Sequence, residues 1–292
     1  MALPKFLRLT VFSYLPLATL TRTIYLLSKK ERQYLYGSGI ARSNETLKLK
    51  LRGVTSTFFQ MEDELYGNVT ISDSQLKFFT SLVSSVNIAV RLQPHNTDIK
   101  MTRLLECLTD LPTWLDTESI SLEIRHENVS NQLDELCKLP ESRRNRMAFK
   151  SVVIRGLAGS QRQIESHQAM NFLLSKSRRL SLVNTKLDMS RAGEGLEQNS
   201  QLKDLNLVNS TFAPPSLRIG QSFPIRLRRF SGADFGFPTE SCKQFTENFS
   251  SLESLTLDWK RSSSDLIEFM VLNGPSLTSL KHFAYHELSN GP

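Results

Sequence analysis

Along the second half of the chain apolar residues recur in one phrase: leucine, two residues, leucine, one residue, leucine. Leu202, Leu205 and Leu207 form one copy and Leu252, Leu255 and Leu257 another. Leu180 with Leu182, Leu227 with Phe230, and Leu277 with Leu280 are partial copies, so the central apolar position falls at 180, 205, 230, 255 and 280, a spacing of 25 residues. Alternation at period two predicts a short strand in each copy, its apolar side chains facing a core and the residues between them facing out. Upstream, Phe149, Val152 and Ile154 fit the same template, and Leu122/Ile124, Ile88/Val90 and Leu49/Leu51 fit it more loosely with longer gaps. Helical segments are expected between the strands. Ser72 with Gln75, Ser160 with Gln163 and Asp265 with Glu268 have capping-box spacing, and each leads into an apolar run: Leu76, Phe79 and Leu82 in the first case, Leu266, Ile267, Met270 and Val271 in the last. Ile99, Leu104, Leu105 and Leu108 form another such run. About nine strand-helix units result, the early ones long and irregular.

A self-similar period in this range, built on L-x-x-L-x-L, is the signature of a leucine-rich repeat. The expected fold class is therefore α/β: a repeat solenoid over residues 39–292, with parallel strands on its concave face and helices outside. A surface of this kind binds a protein or peptide more readily than it catalyses. The residues between the leucines are then the candidate substrate-binding set: Arg179 and Ser181, Asp204 and Asn206, Arg229 and Ser231, Ser254, Thr256 and Asp258, and finally Lys281. Val183, Val208, Ala233 and Ser279 share those outward positions, and Trp259 and Phe235 stand near the rim as candidate aromatic anchors.

Composition bounds the function. With 292 residues, 39% of them hydrophobic and 22% charged, the chain can bury a large core. The net charge of +7 is uneven: residues 1–52 carry ten Lys/Arg against Glu31 and Glu45, whereas the remaining 240 carry 26 basic and 27 acidic side chains. A nucleic-acid interface, which needs a basic stripe along the binding module, is not expected from that balance. Runs such as Arg143-Arg144-Asn145-Arg146 and Arg226-Leu227-Arg228-Arg229 are expected to be solvated charge. Cys107, Cys137 and Cys242 are widely spaced and odd in number, which points to free buried thiols rather than a disulfide framework or zinc site. Asn44, Asn68, Asn128, Asn209 and Asn248 each head an N-x-S/T sequon, a feature that fits a secreted chain, as does the apolar stretch 9–20 after Arg8, although Pro16 interrupts it and no small-x-small cleavage site follows. No catalytic or metal site is expected, and no cofactor: His95, His126, His167, His282 and His286 have no ligand spacing, Gly37-Ser38-Gly39 and Gly193-Glu194-Gly195 read as turns, and Glu62, Asp63 and Glu64 read as solvated loop acids. No run of 18 apolar residues predicts a membrane span.

The first forty residues have no repeat register. Pro4 and Pro16 suit first helical turns, and Ser28-Lys29-Lys30-Glu31 is a capping box, so helices are expected near 4–14, 17–26 and 29–36. Leu3-Pro4, Leu7, Val11-Phe12-Ser13-Tyr14-Leu15-Pro16-Leu17, Leu20 and Leu27-Ser28-Lys29-Lys30 closely resemble the F-box, with Lys5-Phe6 standing where that family has an acid. The resemblance covers residues 3–35, and Asn273-Gly274-Pro275-Ser276-Leu277-Thr278-Ser279-Leu280 resembles the strand entry of repeats in F-box proteins with leucine-rich repeats. It implies a three-helix F-box-like domain over residues 1–38 that docks a Skp-type adaptor and, through it, a cullin, while the repeats hold a protein substrate. The implied product is a non-catalytic substrate-recognition subunit of an SCF-type E3 ubiquitin ligase, cytoplasmic or nuclear. Its adaptor-binding residues would be Leu3, Pro4, Leu7, Val11, Phe12, Tyr14, Leu15 and Leu20, an apolar face too large to leave in water. The same segment, basic and without an acid before Glu31, also fits a cap on the solenoid or a mitochondrial presequence of a scaffold unconnected with ubiquitin.

Overall fold

Alternating apolar positions become strand throughout the second half of the chain, and parallel pairing assembles those strands into one sheet. The computed structural model describes residues 43–52, 58–63, 67–92, 97–112, 120–126, 140–146, 149–156, 162–164, 167–188, 201–213, 227–233, 235, 250–259, 271 and 274–287, and of the amino-terminal segment residues 14–16, 19, 29 and 30. In chain order the elements are β1 (Ser43–Arg52), β2 (Phe58–Asp63), β3 (Gly67–Ile71), α1 (Asp73–Ser81), β4 (Val83–Leu92), α2 (Thr97–Asp110), β5 (Ile120–His126), α3 (Glu141–Arg146) and β6 (Ser151–Arg155). They continue with β7 (Arg162–Ile164), α4 (His167–Lys176), β8 (Arg179–Val183), β9 (Thr185–Asp188), β10 (Asp204–Val208), β11 (Thr211–Ala213), β12 (Arg229–Ala233), β13 (Ser254–Trp259) and β14 (His282–Glu287). The protein is α/β, with an 11-stranded, mostly parallel sheet ordered β14-β13-β12-β10-β8-β6-β5-β4-β1-β2-β3 and a separate three-stranded sheet ordered β11-β9-β7. Among the described residues no helix is long and apolar enough to cross a membrane.

The register aligns the apolar positions that the sequence pattern picked out. Leu49 pairs with Ile88, Ile88 with Leu122, Leu122 with Val152, Val152 with Leu180, and then Leu205, Phe230 and Leu255 follow in one row. These side chains are buried, as are Leu202, Leu227 and Leu252 at the strand entries. Leu104 and Leu108 of α2 and Met170, Leu173 and Leu174 of α4 belong to the same core. At α1 the Ser72 N–H donates to Gln75 Oε1 at 2.9 Å while the Gln75 N–H donates to Ser72 Oγ, the expected capping box. Arg103 of α2 reaches Asp73 in the first turn of α1 and Glu106 at 2.8 Å, with Phe59 of β2 under its guanidinium. Those bonds, Asp73 first, hold the Arg103 pKa above its ordinary value.

Four expectations change. The last strand is displaced: Leu255 pairs with Phe283 rather than Leu280, because the 3₁₀ turn Gly274–Ser276 and a further turn at Thr278 and Ser279 take up three extra residues. Leu280 is only partly buried and Phe283 is 48% exposed. Second, β2 and β3 extend the sheet antiparallel from β1, burying Phe59, Met61 and Ile71, so Glu62 and Asp63 end a strand rather than sit in a loop. Third, Gln163 lies in β7, and the helix that Ser160 seemed to cap begins at His167. Fourth, β9 and β11 follow β8 and β10 immediately, turned at Asn184 (φ 53°) and Asn209 (φ 45°), left-handed positions that asparagine tolerates better than most residues. Asn209 Nδ2 donates to Asn184 Oδ1 at 2.9 Å, which engages the atom a sequon would glycosylate. Asp265 and Glu268 lie outside the described residues, as do Cys137 and Cys242, while Cys107 is buried and is not in a disulfide.

Two stability outcomes follow from this packing. Leu205→Ala and Leu255→Ala should each lose about 2–5 kcal/mol in urea denaturation, and Leu280→Ala clearly less, since only the first two leave an enclosed cavity. Ser177 stands 25 residues before Leu202, fully buried, and among the described residues its Oγ has no hydrogen-bond partner. Ser177→Ala should therefore raise stability by about 1 kcal/mol, read as a higher melting midpoint; a lower midpoint would show that the hydroxyl is satisfied.

Candidate ligand-binding face

Since the buried apolar side chains of the described strands from β5 to β13 of the large sheet share one side, the intervening ones line up on the other, open face. Three rows result. Arg179, Asp204, Arg229, Ser254 and His282 are register partners in the first. Glu123, Val153, Ser181, Asn206, Ser231, Thr256 and Ala284 form the second, and Arg91, Arg125, Arg155, Val183, Val208, Ala233, Asp258 and His286 the third.

A groove of about 280 Å³ runs over the first two rows. It brings together eight of the residues expected to bind substrate, Arg179, Ser181, Asp204, Asn206, Arg229, Ser231, Ser254 and Thr256, with Ser151 at one end and Leu180, Leu205 and Phe230 contributing to its lining. Asp258 lies in the third row, outside this groove. Lys281 is displaced by the shift of β14: its N–H bonds the Glu253 carbonyl, as the Glu253 N–H bonds that of Arg228, so Lys281 is a strand-entry residue and not an open-face one. Its Nζ lies 3.9 Å from Glu253. Ser279 likewise leaves the face and donates to the Ser250 carbonyl at 2.6 Å.

Of the two candidate aromatic anchors, Phe235 needs correction. Phe235 is buried, edge-on to Phe230 with ring centroids 5.3 Å apart. Its ring occupies the space that Leu182, Leu207 and Leu257 fill in neighbouring strands, and Gly232 stands in their row because an added Cβ would lie 2.3 Å from the ring. The Trp259 side chain lies outside the described residues. Of the expected adaptor-binding set, Leu3, Pro4, Leu7, Val11, Phe12 and Leu20 also lie outside them, whereas Tyr14 is 79% exposed and Leu15 half-buried.

Charge on the open face is organised by shared carboxylates, a feature that a residue count does not reveal. Glu123 Oε1 accepts from Arg125 Nε at 3.0 Å and from Arg155 Nε at 2.9 Å. Asp204 sits between Arg179 Nε at 2.7 Å and Arg229 Nε at 3.6 Å and is the most enclosed of the three, 19% exposed against 50% for Arg179. Between the two clusters the floor is neutral, with Asn206 Nδ2 donating to Ser181 Oγ at 2.9 Å. Such an arrangement can hold a ligand by charge and hydrogen bonds along its length. The signal was present as Glu123, Arg125 and Arg155 at outward parity, but only the register makes them neighbours. No protein-family model, curated protein or solved structure matches the chain.

The floor of the groove depends on the exchange at Gly232. Gly232→Ala should destabilise by about 1–3 kcal/mol by forcing the Phe235 ring aside. Phe235→Leu in that background should recover part of the loss, and a double-mutant cycle in urea reads the coupling; simple additivity would dissociate the two positions.

Proposed function

We propose that the protein is a leucine-rich-repeat solenoid with an F-box-like amino-terminal unit, acting as the non-catalytic substrate-recognition subunit of an SCF-type E3 ubiquitin ligase. What carries the proposal is the conjunction of the F-box-like spacing over residues 3–35 with an array whose strands recur every 25 residues from Leu180 to Leu255. In this reading residues 1–38 dock a Skp-type adaptor and a cullin, and the open face holds the protein to be modified. The solvent exposure of Tyr14 favours docking over a capping role, since a cap would bury that ring against the array.

Leu3 and Pro4 are the anchors to test, because apolar groups filling desolvated pockets contribute about 2 kcal/mol or more each to an interface. Replacing both with alanine should weaken binding of purified adaptor more than about tenfold, with the circular dichroism spectrum unchanged. From cells, the full chain should co-purify adaptor and cullin, and a chain lacking residues 1–38 should not. Unchanged adaptor binding in the folded double variant, or no recovery by the full chain, would move the assignment to a scaffold whose amino terminus is a cap or mitochondrial targeting segment.

A further inference from the structure

An arginine side chain offers five N–H donors in a planar fork. When a carboxylate takes the Nε side, the edge between Nη1 and Nη2 stays available and matches a second carboxylate in two parallel hydrogen bonds. Arg125, Arg155, Arg179 and Arg229 each meet their carboxylate through Nε, and among the described residues nothing else engages their Nη atoms. Among the described residues each cluster is thus two cations beside one anion, with a net positive charge and two guanidinium edges that no other residue engages.

Stability alone does not account for the Glu123 cluster. Like charges directly opposite on neighbouring strands are unfavourable, yet Arg125 is the register partner of Arg155. Glu123 offsets only part of that repulsion. In the Asp204 cluster the signs alternate across β8, β10 and β12, which is the favourable order, but again two arginines share one acid. Among the described residues the sheet therefore holds an excess of positive charge at two places with a neutral hydrogen-bonding floor between them.

We propose that the open face binds an extended acidic peptide segment, with acidic side chains on the Arg125/Arg155 pair and on the Arg179/Arg229 pair. Strand spacing and rise put the two clusters roughly 15 Å apart, so the matching acids stand about five extended residues from each other. Between them the peptide backbone lies over Ser181 and Asn206, whose side chains supply donors and acceptors at the groove. A nucleic acid fits less well, because it asks for a continuous basic track with aromatic platforms. Among the described side chains the open face carries no Phe, Tyr or Trp. The proposal deepens the function above and rests on the open face being the ligand face; it requires nothing of the amino-terminal unit.

The test uses the purified full-length chain at physiological salt and fluorescein-labelled Gly/Ser peptides in which two Glu pairs are walked apart. Fluorescence anisotropy should give the tightest binding when the pairs are about five residues apart, and at least about tenfold weaker binding of the Gln counterpart. Arg125→Ser with Arg155→Ser, and Arg179→Ser with Arg229→Ser, should each weaken the Glu peptide by about tenfold or more. Arg228→Ser with Lys281→Ser makes the same charge change around Glu253 at the strand entries and should leave affinity within about twofold. Thermal melts check that each variant is folded; if a serine pair unfolds, the corresponding Arg→Lys pair keeps the charge without the fork and should still lose affinity severalfold. Equal binding of Glu and Gln peptides, equal loss in the strand-entry variant, or tighter binding of a single-stranded oligonucleotide of the same charge would overturn the proposal. Adaptor recovery plays no part in this assay, so either result stands whatever becomes of the ligase assignment.

Discussion

At the entries of β10, β12, β13 and β14 one carbonyl accepts two N–H groups from the next strand, and this contact sets the register on which the open face depends. The Arg178 carbonyl takes the N–H groups of Lys203 and Asp204, the Lys203 carbonyl those of Arg228 and Arg229, the Arg228 carbonyl those of Glu253 and Ser254, and the Glu253 carbonyl those of Lys281 and His282. Because side chains alternate at period two, a slip of one residue would exchange the core face for the open face along a whole strand. The leucines prevent that slip by burial, and the entry bonds keep their rows straight. Core and open face are in this sense one constraint read from two sides.

The array tolerates exceptions where a neighbouring residue supplies the missing group. Gly232 leaves a gap in the leucine row, and Phe235 fills it from three residues further on. After β8 and β10 the chain must turn with its backbone groups buried, and Ser210 Oγ serves several of them: it accepts the Thr185 N–H at 3.1 Å and lies 3.1 Å and 2.8 Å from the Leu182 and Val208 carbonyls. A buried polar side chain is stable there because its partners are backbone groups that would otherwise be orphaned.

How much was legible follows from the same physics. The strands from β1 to β13 that carry the apolar rows could be read because burial on one face imposes a pattern on the residues themselves. Leu49, Ile88 and Leu122 remained in register despite unequal gaps, since the gaps are absorbed by connections and not by strands. The shift from Leu280 to Phe283 was hidden because both residues are apolar and only the turns before them decide which enters the row. Ser160 and Gln163 have the spacing of a capping box, but that spacing is short enough to occur in a segment whose Ile164 is instead buried in a strand beside Leu187. The charge clusters were illegible for a different reason. Glu123 and Arg155 are 32 residues apart and become neighbours only through strand order, so a near-neutral count over the later 240 residues averages away the local excess.

The anchoring of arginines by acids also explains how a flexible side chain can serve a rigid face. A free arginine loses much of its rotamer entropy when it closes on a ligand. Held through Nε by Glu123 or Asp204, it has lost part of that freedom on folding, and less remains to be lost on binding. The acid reduces the net charge, which weakens long-range attraction, but it fixes where the remaining donors point. A face built this way gives up some affinity for any polyanion and gains selectivity for one whose acids match the spacing of its forks.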